Sequence, residues 1–268
     1  MSVRVYRSGN PVHNYVLGAM CEQIGADLYD RYEASDVAVV FGVYKAAVQL
    51  SYLRGEVIAR QKILGKKTIV IDSGYVTRGD AKDSYYSVGL NGLNGRADHR
   101  NKNCPSDRWD ALGVELQPWR DGEYVLVCGQ VPWDANVQHV NYLEWVYNTI
   151  AEIKANTDRD VMFRPHPKAP LEIRGVAPSI GRTMADDLAG AYLTVAFNSN
   201  SLVDSVIAGV PVFGADSGNM VKEMYDSQFL SMAVNNPYKP DRTQWAYNLA
   251  YAQWRPDEMG EAFRRLTC

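Results

Sequence analysis

The sequence predicts an α/β fold of two Rossmann-like halves facing a cleft, and three observations carry that prediction. Short, almost wholly apolar runs recur at 37–41, 68–71, 124–128 and 193–197. Runs of this kind mark parallel strands buried on both faces. Apolar stripes at helical spacing lie between them, as β-α-β units require. The rhythm breaks once, between about Gly74 and Trp119, and then resumes. The chain therefore reads as two series of elements rather than one.

The first series opens with a strand at 3–6 and a helix over 13–24. Strand 37–41 follows, then a helix on which Leu50, Leu53, Val57 and Leu64 share a face. Strand 68–71 ends at Asp72-Ser73-Gly74. Segment 74–119 is rich in Gly, Asn, Asp and Arg and is too long for a plain connection. It reads as the functional loop region of the first half, with a linker near 117–123. In the second series Tyr142, Trp145, Val146, Thr149, Ile150 and Ile153 line one helix face. Strands at 161–163 and 193–197, a short helix at 201–208 and a strand at 210–213 come next. Helices over 243–254 and 257–266 close the chain, separated at Pro256. The expected domains are 1–120, with the long loop region 74–119, and 121–268, which carries the C-terminal helices.

Composition excludes several classes. A net charge of −3 over 268 residues is no global basic surplus for gripping nucleic acid, though a local patch is compatible with it. The apolar runs are strand-sized, so no membrane span is expected. The chain runs straight into a strand pattern, and no signal peptide is expected. Cys21, Cys104, Cys128 and Cys268 show no metal-type spacing and suit unpaired thiols in a cytoplasm.

Two stretches carry chemistry. In FRPHPKAP, prolines flank His166 and hold it, with Arg164 and Lys168, on a stiff non-helical turn after a strand. In NSNSLVDSV, the polar residues Asn198 to Ser201 follow another strand and start a helix, where free N–H groups favour anions. Read blandly, Ser199 and Ser201 cap a helix and His166 bonds to a turn backbone. In an open parallel sheet, however, both loops fall at the carboxyl edge, where ligands bind. A histidine, two cations and two hydroxyls there suit a phosphate-bearing leaving group.

The second half resembles the nucleotide-binding half of GT-B glycosyltransferases. The likeness rests on VLVCGQVPWDANV, FRPHP, NSNSLVDSVIAGVPVF and NLAYAQWRPDEM, in that order over residues 124–260. It is nearest to the capsule-polysaccharide and Kdo-transferase type, and more distant from bacterial sialyltransferases with HP and SS motifs. The resemblance implies that His166, Ser199, Asn200 and Ser201 hold the nucleotide phosphates, with Arg164 or Lys168 balancing charge. It implies that Gln130 and Asp134 line the site. Asp204 stands where the family often has a ribose-binding glutamate. The donor would be a UDP- or CMP-sugar with no further cofactor; no Asp-x-Asp motif is expected at the site, so no obligatory metal is indicated.

The first half resembles the family in rhythm alone. An inverting transferase needs a base for the acceptor hydroxyl, and Asp72, at a strand end, is the leading candidate; a retaining one needs none. Asp80, Asp83, Asp98 and His99 follow in the loop. LNGLNGRADHRNKNCPSDRW interleaves basic, amide and aromatic residues, as a surface that grips phosphates and stacks a base would. Tyr75, Asn94, Arg96, His99, Arg100 and Trp109 are the acceptor-binding candidates. The compact chain also looks like small phage transferases that glycosylate hydroxymethylated pyrimidines in DNA, which would place it in the host cytoplasm. The alternatives are a capsule or surface-polysaccharide transferase, a sugar-nucleotide epimerase, and a non-catalytic nucleotide- or nucleic-acid-binding module.

Overall fold

A computed structural model describes residues 1–43, 49–78 and 82–268, with backbone alone at 49–51. Its elements in chain order begin with β1 (Val3–Tyr6), α1 (Pro11–Ile24), β2 (Leu28–Tyr29), β3 (Val37–Phe41), α2 (Gln49–Ile63), β4 (Lys67–Ser73), β5 (Tyr86–Leu90) and α3 (Asp107–Leu112). The second series is β6 (Tyr124–Cys128), α4 (Tyr142–Asn156), β7 (Val161–Arg164), β8 (Ala177–Pro178), α5 (Met184–Gly190), β9 (Ala191–Ala196), α6 (Ser201–Ile207), β10 (Val212–Gly214) and α7 (Leu230–Asn235). The chain closes with α8 (Thr243–Ala250), β11 (Gln253–Trp254) and α9 (Met259–Thr267).

The chain divides into two compact units, 1–113 with 244–268, and 114–243. In the first, the sheet order is β11-β5-β4-β3-β1-β2. Strands β1 to β4 run parallel, and β5 lies antiparallel between β4 and β11. Local chemistry sets the starting points. Asn10 caps α1 by accepting from Val12 N–H at 2.8 Å, and Pro11 takes the first helical position, where no donor is needed. β3 is buried along its whole length, as its continuous apolar run requires. On α2, Leu53 and Val57 are buried, whereas Leu64 falls beyond the helix and is exposed; the Leu50 side chain lies outside the described residues.

The C-terminal segment does not belong to the second domain as expected. Gln253 and Trp254 are not the end of a helix. They pair with Ser87 and Tyr86 as an added strand. Trp254 is 1% exposed in the same core as Val5, Val39 and Ile71. α9 seals that core, and Gln23 of α1 accepts from Gly260 N–H at 2.8 Å and donates to Pro256 O at 2.8 Å. Burial of an aromatic of this size outweighs sequence proximity in deciding which unit a segment joins.

In the second unit all five strands are parallel, in the order β10-β9-β6-β7-β8. β9 is buried throughout. Thr183 and Asp186 form a reciprocal capping box at the start of α5. The expected linker near 117–123 is built into this unit. Gln117 N–H donates to Ile207 O, Arg120 N–H to Gly209 O, and the Trp119 indole to Pro240 O, each at 2.8–2.9 Å. The observed boundary therefore falls at Gly113, ahead of the expected 120. No described helix is long and apolar enough to cross a membrane.

Candidate functional site

Strands β6, β7, β9 and β10 deliver their carboxyl ends to one edge of the second sheet. β6 is followed in sequence by β7 on one side and is flanked by β9 on the other. The loops after β6 and β9 thus diverge from neighbouring strands, the topology at which open α/β sheets bind ligands.

Gln130 and Asn198 span that point. Asn198 N–H donates to Gln130 Oε1, and Gln130 Nε2 donates back to Asn198 Oδ1, both at 2.8 Å. Asn198 Nδ2 also reaches Asn136 O at 3.1 Å and Asp216 Oδ1 at 2.9 Å. Asp216 accepts Gly218 N–H, and its Oδ2 lies 3.5 Å from His139 Nε2. Asn198 is nearly buried, with every side-chain polar atom partnered. Beneath the loop, Tyr142, Trp145 and Phe197 pack edge-on and stacked, and Gln130 N–H donates to the Tyr142 hydroxyl at 2.6 Å. Gln130 is therefore a brace between two strand ends. In the sequence Asn198 stands out only as the first residue of the NSNS stretch, and Asp216 and His139 carry no signal.

His166 sits beside the end of β6. Gly129 N–H donates to Arg164 O at 2.8 Å, and a Cβ on Gly129 would come within 3.4 Å of His166 N and 3.2 Å of Arg164 O. Glycine admits this close approach. Lys168 N–H lies 3.1 Å from His166 Nδ1 and donates to it, so the hydrogen-bond pattern assigns the ring proton to Nε2. Burial, and then the Lys168 charge, hold His166 below the ordinary histidine value against an opposing pull from Asp134. The group is a neutral, oriented donor. No protein group bonds Nε2 among the described residues. Asp134 is half-buried, and its Oδ1 takes Asn136 N–H and Nδ2–H at 2.9 and 3.0 Å.

Two donor-site expectations need correction. Arg164 is not a phosphate cation: its Nη1 is held by the fully buried Asp187 at 2.5 Å and by Ser179 Oγ at 3.2 Å. Arg182 binds the other oxygen of Asp187 at 2.7 Å, which pairs the buried carboxylate twice. Ser201 Oγ is turned inward beside the Cys128 thiol. Ser199 Oγ accepts Ser201 N–H at 3.2 Å and keeps its own proton to donate. Asn200 is the N-cap residue of α6 without a side-chain capping bond, Asp204 sits half-buried on its first turn, and Lys168 is exposed. The chain also holds one Asp-x-Asp, Asp158-Arg159-Asp160, ahead of β7 at the opposite edge of the sheet. There Arg159 stacks 3.7 Å over Tyr192.

In the first unit, Asp72 is half-buried near the end of β4, and its Oδ1 accepts Ser73 N–H at 2.7 Å. Asp83 is exposed, and Asp80 lies outside the described residues. Most of the expected acceptor residues are structural. Trp109, Tyr75 and His99 are buried, and both His99 ring nitrogens face carbonyls, Val88 O at 2.9 Å and Asn94 O at 3.1 Å. The amide-rich composition of the loop has a backbone cause: Asn91, Asn94 and Asn103 all adopt left-handed φ, which asparagine tolerates better than most residues. Arg108 clamps Glu258 through two bonds at 2.8 and 2.9 Å and lies 4.0 Å over Trp254. Arg265 donates to Arg100 O at 2.9 Å. Arg96 and the Arg100 side chain remain at the surface. Two further residues missed in the sequence are Arg54, whose charge is felt by Asp72, and His13, which stacks on Phe41.

No family model matches the sequence, and no curated protein matches it. Among solved structures, the chain is similar to a β-Kdo 2,7 transferase, KpsC of Thermosulfurimonas dismutans, at 10% identity and a TM-score of 0.58, over 99% of both chains. It is also similar to a β-Kdo 2,4 transferase, again KpsC of that organism, at 12% identity and a TM-score of 0.61, over 94% of this chain and 90% of that one. At this identity the likeness shows the fold, two Rossmann-like α/β domains of the GT-B class.

Proposed function

We propose that this chain is a glycosyltransferase that moves a sugar from a nucleotide-sugar to a hydroxyl acceptor. The carrying observation is His166. Its Nδ1 is committed to Lys168 N–H, so Nε2–H is presented at the switch-point edge beside Gly129. A neutral imidazole there donates a hydrogen bond to a phosphate oxygen rather than a proton, and the lowered pKa favours that role. Ser199, through its remaining O–H, and Lys168 are the accompanying phosphate ligands, with Asp134 and Asp204 at the rim. In the inverting form, Asp72 takes the acceptor proton. The acceptor oxygen then bonds to the anomeric carbon, and the carbon–oxygen bond to phosphate breaks with its electron pair leaving on the nucleotide.

A glycan hydroxyl is the acceptor that fits best. The structures it resembles are named Kdo transferases. The modified-DNA acceptor loses its residue support, because Trp109 and Tyr75 are buried and Arg108 is spent on Glu258. The test is calorimetry of UDP, CMP and GDP and their common sugars with wild type and His166→Ala. One nucleotide should bind, and the variant should lose roughly 1.5–3 kcal/mol, the worth of a hydrogen bond to a charged group. Equal binding by both proteins, or none by wild type, sinks the donor site. Conversion of the donor to an isomer without acceptor identifies an epimerase instead.

A further inference from the structure

Helix α5 and the loop before it hold a charged network that the donor reading does not use. Asp187 of α5 is fully buried. Its Oδ1 accepts Arg182 Nε–H at 2.7 Å, and its Oδ2 accepts Arg164 Nη1–H and the Ser179 hydroxyl, each at 2.5 Å. Ser179 Oγ, its proton committed to Asp187, accepts from Arg164 at 3.2 Å. Arg164 Nη1 also lies 3.1 Å from Arg182 O and 3.3 Å from Thr183 O. Asp187 is rooted in turn. Its carbonyl accepts the Tyr124 hydroxyl at 2.5 Å, and its N–H donates to Thr183 O at 3.3 Å. Residues 179–187 thus form a cradle around one guanidinium.

Arg164 is the last residue of β7 and stands two residues before His166. Beyond the strand ladder, two holds tie the 164–168 turn to the rest of the unit among the described residues. Gly129 N–H donates to Arg164 O at 2.8 Å, and the cradle grips the Arg164 side chain. The bonds inside the turn, Lys168 N–H to His166 Nδ1 at 3.1 Å and Ala169 N–H to His166 O at 2.8 Å, fix its shape and not its place. The flanking prolines likewise fix shape alone. A buried ion pair contributes little net stability beside well-packed apolar residues, because desolvation offsets much of the attraction. It does impose direction, since a planar guanidinium meets a carboxylate in few geometries. This network lies at the root of the turn that presents His166 Nε2, where direction matters.

We propose that Asp187 is a positioning residue: through Arg164 it sets where His166 stands at the strand edge, and so how tightly a nucleotide phosphate is held. The proposal rests on the donor-site reading above. Asp187 has no exposed surface and touches no ligand. Arg182 and Ser179 keep its carboxylate partnered when Arg164 is replaced.

The test uses Asp187→Asn, which keeps the size and removes the charge, and Arg164→Gln, which cuts the link and leaves Asp187 paired with Arg182. Affinity is read by calorimetry with UDP, CMP and GDP, in wild type and in the His166→Ala background. Each variant should weaken the nucleotide that wild type binds by about tenfold or more. Each should weaken it less than about twofold further once His166 is already alanine, because the two residues act as one unit. Amide exchange at Lys168 and Ala169 should quicken about tenfold or more while the amides of β9 keep their rates, the pattern of a local opening. Wild-type affinity in a folded variant overturns the proposal. So does an equal loss in the His166→Ala background, or exchange that quickens as much in β9, either of which makes the network a support of the whole unit. If neither variant folds, the network serves stability and the proposal fails. If wild type binds no nucleotide, the donor reading falls by itself, and the exchange pattern decides whether Asp187 places His166.

Discussion

The two units build their strand edges in opposite ways. In the second, an all-parallel sheet places four loops at one edge, and residues near those strand ends lock one another: Gln130 with Asn198, Asn198 with Asp216, Lys168 with His166. In the first, a mixed sheet is completed by a strand from the far end of the chain, and its edge draws on His13, Phe41, Arg54 and Asp72 from separate segments. Local sequence can place the loops of the first kind of edge, because a parallel strand must emit its loop where the strand ends, but the locks between them join residues 68 and 18 apart in the chain. It cannot describe the second kind, whose members share no spacing.

This contrast can be broken at three points. The largest effect is expected at Trp254, fully buried 168 residues after Tyr86, the strand partner it meets. Trp254→Ala should destabilise the first unit by about 3–5 kcal/mol, read by urea unfolding. A cost under about 1 kcal/mol would mean that the closing segment is an accessory to that unit. Next is Asn198→Ala, which strands polar partners on Gln130 and Asp216. It should cost roughly 1–3 kcal/mol and loosen both strand-end loops, seen as faster amide exchange in them. Unchanged exchange would show that each loop stands alone. The smallest effect is the pH response at His13.

For His13 the sign is set by a depressed pKa, brought by burial and then by the Arg54 charge to about 4 from the ordinary value near 6.5. Between those values the unfolded chain holds the extra proton, so stability is full above about 6.5 and falls as pH drops toward about 4. Screening at a half-exposed ring should hold the loss to about 1–2 kcal/mol. His13→Phe should flatten this part of the stability–pH curve. An identical curve in the variant would place the acid sensitivity elsewhere.

The sequence was most informative where one residue carries its own geometry. The prolines around His166 and the continuous apolar run of β3 needed no distant partner to be read. It misled where a side chain's role depends on what lies opposite. Arg164 follows a strand at a ligand-binding edge and looks like a phosphate cation, yet Asp187, 23 residues on, is buried against it. Arg108 and Trp109 look like a nucleic-acid grip, and packing against the C-terminal segment occupies the first and burial the second. The asparagines of that loop satisfy left-handed turns.

The sequence by itself determined the α/β class, the two series of elements and the strand-end turn that orients His166, because apolar periodicity and proline constraint are local. The tertiary structure alone decided that Gln253 and Trp254 form a strand of the first sheet, since a two-residue strand has no periodicity and exists only through its partner. It alone decided which charges are spent in pairs and which groups stay at an edge. Burial and ion pairing are settled between segments far apart in the chain, and no spacing along the chain encodes them.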